Sequence, residues 1–269
     1  MNVVLYKQMM KVHLKGFMNY GFGSAFYILL MFWLYPGIAD NAKAIDEIVN
    51  SMPEGVGRAF GLNGFDSMEA FISGEYYGLI LVLILAIVCV QLSTQLMARL
   101  VDQGSMAYLL SAPTTRGKVA LTQAAVLASG LLVILAVTTV AGLVGHVWIL
   151  GDKYDFNTER FILLNVSAFL LFFAVGGISF LVSSLSDDEK RAMSISGAIT
   201  FGFFSIDLIS KFSESVEWLR YFTLFTLYRP GDIINGKGDA AVAFPVLFGV
   251  AIIAFALAVF LFRKRDLPL

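Results

Sequence analysis

Six long, mostly apolar stretches divide this chain, and a chain divided in that way has few folds open to it. They run from about Phe17 to Pro36, Tyr76 to Ala98, Val119 to Val144, Phe161 to Leu185, Met193 to Phe212 and Val242 to Phe262. A helix needs about 20 such residues to cross a bilayer. Within each stretch the apolar residues are continuous and do not alternate every second position, which speaks for helices and against barrel strands. Composition agrees: 58% of residues are hydrophobic and 14% charged, against roughly 25% charged in soluble domains. The predicted fold is all-α, a polytopic membrane protein with six transmembrane helices forming a single transmembrane domain over residues 1–269.

The ends and loops set an expected orientation. Lys7, Lys11 and Lys15 recur every four residues, while Leu5, Met9 and Val12 form another face. That spacing predicts an N-terminal amphipathic helix over residues 1–15, lying on membrane lipid with its lysines toward anionic headgroups. A simple positive topology anchor fits the same residues. The apolar stretch that follows is not closed by a small-residue cleavage site, so it is expected to remain as the first span. Basic residues are retained on the cytoplasmic side. Placing the N-terminus there puts 11 Lys and Arg inside and 8 outside, with Arg263-Lys264-Arg265 directly after the sixth span. Both termini are therefore expected to be cytoplasmic.

The same orientation makes residues 37–75 an extracellular loop rich in acids, among them Asp40, Glu47, Glu54, Asp66, Glu69 and Glu75. It holds a short helical pattern from Ala44 to Val49, a break at Pro53, and an apolar patch around Val56, Phe60 and Leu62. A second outer segment, 213–241, carries Trp218, Tyr221, Phe222, Phe225 and Tyr228, aromatics suited to the water–lipid boundary. It is expected to form a short interfacial or re-entrant helix pair ended by Arg229-Pro230-Gly231.

Several chemistries find no residues. There is no G-x-x-x-x-G-K-[ST] phosphate loop, and Asn63-Gly64 and Gly236-Lys237-Gly238 are too sparse to replace one. No H-E-x-x-H pattern or nucleophile–base pairing stands out, so neither a catalytic residue nor a metal or cofactor bound by this chain is expected. The lone Cys89 allows no intramolecular disulfide. A net charge of −1 gives no bulk signal for nucleic acid. Asp207 sits in the fifth span four residues before Lys211, so the two share a helix face. Either they pair near the membrane surface, or Asp207 faces a cavity and contacts a substrate or an ion. Gln91, Ser93, Thr94 and Gln95, with Asn165 and Ser167, are expected to hold helices together.

The most informative segment is 99–118. Arg99 closes the second span, Asp102 offers an N-cap, and Met106, Leu109 and Leu110 give a short apolar face. Pro113 stops the helix, and Arg116-Gly117-Lys118 leads back into the membrane. On physical grounds this is a brief amphipathic helix at the inner surface, either a docking site for a partner or an ordinary interfacial turn. The run from Asp102 through Gly104-Ser105 and Ser111-Ala112-Pro113 to Arg116 resembles the cytoplasmic coupling loop of type-2 ABC exporter permeases. So do the six helices, the long first outer loop with Pro53 and Phe60-Gly61, and the basic tail Arg263-Lys264-Arg265-Asp266-Leu267-Pro268-Leu269. The resemblance implies a permease that pairs with a second copy or a related permease and with two separate P-loop ATPase subunits, which use ATP and Mg. It also implies that Asp102, Gln103, Ser105, Met106, Tyr108, Leu109 and Arg116 meet the ATPase, with Tyr108 and Leu109 in an apolar pocket and Asp102 and Arg116 fixing orientation. An ion-coupled carrier or channel would need polar groups near the membrane midplane, and this chain has almost none. An intramembrane enzyme finds no catalytic set. A sensor or immunity subunit would use the same coupling loop as an exporter.

Overall fold

In a computed structural model, which describes residues 1–51, 67–237 and 240–266, the chain is a helical bundle with no strand among the described residues. Six helices are long and apolar enough to cross a membrane: Val3–Ala39, Met68–Asp102, Arg116–Leu150, Thr158–Leu185, Glu189–Ser210 and Ala240–Lys264. Each contains or closely overlaps one predicted stretch, and they are the first to sixth spans below. The expectations placed on Pro53, Glu54, Val56, Arg58, Phe60-Gly61, Leu62, Asn63-Gly64, Asp66, Gly238 and Leu267-Pro268-Leu269 lie outside the described residues.

The fourth span is the centre of the bundle and packs against the second, third, fifth and sixth, while the first lies along the third. Small residues make the close approaches possible. A Cβ on Gly176 would stand 2.8 Å from the Leu127 side chain, and one on Gly177 would stand 3.2 Å from the Ala251 carbonyl oxygen. In lipid, apolar surface alone does little to draw helices together, so such contacts and interhelical hydrogen bonds carry the association. The bonds are present. Tyr20 donates to Gln91 at 3.0 Å, Tyr77 to Asn165 at 2.9 Å, and Ser93 to the Gly176 carbonyl at 3.3 Å. Cys89 is buried and its thiol donates to the Phe172 carbonyl.

Both chain ends lie at one end of the bundle. The Asn2 backbone N–H donates to Thr122 near the start of the third span, and Arg116 donates to the Arg265 carbonyl just after the sixth. Segment 99–118 is at this same end, and the cavity described below is at the other.

Three expectations change. Residues 3–39 form one uninterrupted helix, so the N-terminal amphipathic helix and the first span are a single rod of about 55 Å. Asn2 caps its start by accepting from the Val4 and Leu5 N–H groups, and Gly16, Gly21, Gly23, Pro36 and Gly37 are all carried within it. The second span begins at Met68 and takes residues 68–75 from the expected extracellular loop. Ser67 caps it by accepting the Ala70 N–H, and the buried Glu69 carboxylate accepts the Asn157 N–H, so this acid has a partner without facing water. Finally, Arg229-Pro230-Gly231 starts a helix instead of ending one. Pro230 opens the helix Pro230–Ile234, where a missing N–H costs nothing. The aromatic segment before it is two 3-10 turns, Glu214–Phe222 and Leu224–Leu227.

Candidate functional sites at the two ends of the bundle

The second span stops being regular at Met97, whose φ of −126° and ψ of −74° break the helical ladder. The Ala98 N–H freed by the break donates to Ser183 Oγ at 3.0 Å, and Ser183 donates onward to the Ser93 carbonyl at 2.8 Å. Two short helices follow, Ala98–Asp102 and Ser105–Ser111. Gly104 joins them with a φ of 68°. A side chain there would have open space but a strained backbone, so the chain needs glycine for its conformation.

The seven residues expected to meet a partner separate into two groups. Tyr108 is 82% exposed. Gln103 is exposed, and Ser105 and Leu109 are half-buried, with Leu109 packed inward. Met106 is fully buried in the chain's own core and cannot be a docking residue as it stands. Asp102 is not the N-cap of the short helix Ser105–Ser111. Gly104 holds that place, and the left-handed turn carries Asp102 away from it, where its carboxylate accepts the Glu189 N–H at 3.2 Å. Arg116 donates to the Arg265 carbonyl at 2.5 Å. Both residues expected to orient a partner are thus engaged within the chain.

Arg265 completes this brace. Its guanidinium donates to the Ser184 and Ser186 carbonyls at 2.8 and 3.2 Å and pairs with Asp187. Arg99 lies 3.9 Å from Glu189. Segment 99–118, the turn between the fourth and fifth spans, and the residues after the sixth span therefore form one platform. In the sequence Arg265 is one of three consecutive basic residues after the sixth span, with nothing in its position to set its bracing role apart. The signal that could have found it is its planar fork of five donors, which suits the unpaired carbonyls at a helix C-terminus.

At the opposite end is a cavity of about 630 Å³, open to the surface. The second span lines it with Ser73, Gly74 and Gly78, which lie in a π-helical stretch, Ser73–Ile80. The fifth span contributes Asp207, and the aromatic segment contributes Glu217, Arg220 and Arg229. Asp207 is buried and pairs with Lys211 at 2.6 Å, while Thr226 donates to its other oxygen at 3.3 Å. Asp207 is therefore ion-paired and also lines a cavity. Glu217 with Arg220, and Arg229 with Asp232 at 3.6 Å, are further pairs on the same wall. These pairs escaped the sequence reading because their spacing of three residues says nothing about a shared cavity. Among the described residues, no group of three or more His, Cys, Asp or Glu is placed to hold a metal.

Six apolar spans among the described residues define a multi-pass α-helical membrane protein. The chain belongs to the ABC-2 family of transporter proteins, whose family model matches residues 25–267. No curated protein matches the sequence. Family membership makes the chain the membrane component of a transport system.

Proposed function

We propose that this chain is the permease subunit of an ATP-binding cassette exporter. It works with two P-loop ATPase subunits and with a second permease, its own copy or a related chain. It lies in the plasma membrane with both termini cytoplasmic, and itself catalyses no reaction. The ATPases use ATP and Mg, and the cargo is an amphipathic or hydrophobic compound, a peptide or lipid in preference to a small ion. The observation that carries this reading is the pairing of an exposed Tyr108 with a braced mounting. A large aromatic with no cover is the usual anchor of a protein interface. On either side of its short helix, Asp102 is bonded to the start of the fifth span and Arg116 to Arg265 after the sixth, and Arg265 is bonded in turn to the end of the fourth. A push on Tyr108 would therefore be passed to three helices together.

The test is co-purification from gently solubilised membranes, followed by transport in vesicles. A P-loop ATPase is expected to stay bound, and Tyr108→Asp is expected to weaken its binding by about tenfold or more while leaving membrane insertion intact. Unchanged binding and transport in the variant would remove the coupling role. An ATPase that binds but moves nothing would favour the sensor or immunity reading. A chain that purifies alone would favour an ion-coupled carrier with Asp207 at its centre.

A further inference from the structure

The cavity at the far end carries a pattern of charge that limits what can occupy it. Among the described residues, six charged side chains line it, Asp207, Lys211, Glu217, Arg220, Arg229 and Asp232, and they form three pairs of opposite sign. Charges on the described wall therefore balance, yet the wall is strongly polar. A ligand of one charge that opens a pair takes one member and leaves the other without its ion partner, a loss of one charge-assisted contact. A zwitterion avoids that cost. Its cation can take the carboxylate of an opened pair while its anion takes the released ammonium or guanidinium. The pair best placed to open is Asp207–Lys211. The carboxylate is held at 6% exposure, but the Lys211 side chain is 41% exposed and can swing toward water.

The surroundings add a second constraint. Trp218, Tyr221 and Phe222 belong to the same short segment as Glu217 and Arg220, yet they are 57%, 76% and 63% exposed. Polar residues of this segment face the cavity, while large aromatics stand uncovered beside it at the end of the spans. Aromatics in that position favour the lipid–water boundary. The cavity's volume also lies within the roughly 300–1,000 Å³ usual for small-molecule sites. The π-helical stretch that opens its wall is a departure from regular helix often found where function is.

We infer that this cavity binds the zwitterionic headgroup of an amphiphile. Asp207 accepts the ligand's ammonium group, Lys211 and Arg229 meet its phosphate or carboxylate, and its hydrocarbon lies against Trp218 and Phe222. For an exporter the site would receive cargo on the far side of the membrane. It rests on the exporter reading only for what becomes of the bound molecule, since binding needs this chain alone.

The test uses the purified full chain in an uncharged maltoside detergent, without ATPase. Trp33→Phe and Trp148→Phe leave Trp218 as the sole tryptophan reporter. Dihexanoylphosphatidylethanolamine is expected to shift Trp218 emission saturably, and Asp207→Asn and Arg229→Gln each to weaken binding by about tenfold or more. Dihexanoylphosphatidylglycerol, which lacks the ammonium, is expected to bind at least about tenfold more weakly for the same reason. Glycerophosphoethanolamine has the headgroup without the tails. Equal binding of this probe, still dependent on Asp207, would support the headgroup chemistry and assign it to a free solute. Equal binding of the phosphatidylglycerol probe would overturn the proposal. So would unchanged binding in Arg229→Gln, whose side chain is 52% exposed and which decides the matter if Asp207→Asn does not fold. Loss of ATPase co-purification would end the exporter reading without touching these outcomes.

Discussion

Gly177 faces the Ala251 carbonyl oxygen and the Ala254 Cβ, each 3.2 Å from where a Cβ of its own would stand. Backbone cannot retreat as a flexible side chain can. Gly177→Val is therefore expected to lower stability by about 1–3 kcal/mol, read as a drop in the thermal midpoint in detergent. Gly197 has open space around its Cβ position, and Gly197→Ala is expected to leave the midpoint unchanged or raised. Asp207 and Lys211 should be unequal in the same assay. Removing Lys211 leaves a buried carboxylate with only Thr226, whereas removing Asp207 leaves a half-exposed lysine that can reach water. Lys211→Gln is expected to cost about 1–3 kcal/mol and Asp207→Asn less, with the double variant near the milder single one.

At the scale of elements, the break after Leu96 depends on one hydroxyl. Ser183 accepts from Ala98 and donates to Ser93, so it closes the open ladder from a neighbouring span. Ser183→Ala would leave the Ala98 N–H buried without a partner. It is expected to cost about 1–3 kcal/mol in the same thermal assay, and a Ser183→Ala chain as stable as the parent would show the break to be satisfied by other means. The elements themselves were legible in the sequence because apolar length is the condition for crossing lipid, and Tyr76 to Ala98 or Phe161 to Leu185 can be read by counting. What the sequence hid was pairing at a distance. Glu69 looks like a loop acid until its carboxylate is found accepting the Asn157 N–H. Asp102 looks like an N-cap until Gly104 turns the chain away from it. The residues expected to meet a partner were legible as a segment but not as faces, since whether Met106 or Tyr108 points outward depends on which spans stand behind the loop.

For the whole molecule, the decisive quantity is which residues share a side. Val12 is 58% exposed, Tyr108 82% and Trp148 83%, while native Cys89 is buried and should stay silent toward thiol reagents. Single cysteines at positions 12 and 108 are expected to react with an impermeant maleimide only from the cytoplasmic side, and a cysteine at 148 only from outside. Labelling of 12 and 148 from the same side would overturn the bundle's threading. The first span, about 55 Å long, also exceeds the roughly 30 Å hydrocarbon core. Its lysine-bearing start must project beyond the core or tilt along the surface.

The platform around Arg265 has a consequence for biogenesis. Arg116 finds its acceptor 149 residues later in the chain, and that acceptor emerges only after the sixth helix has been made. While the chain is still being synthesised, Tyr108 is therefore carried by a segment whose Arg116 tie is missing, even once Arg99 and Asp102 can meet Glu189. A half-finished permease would present its aromatic on a loose mount, and only a chain with every span inserted would offer a partner the rigid one. Completion of the membrane part would then act as a checkpoint on assembly, with no separate quality-control residue needed.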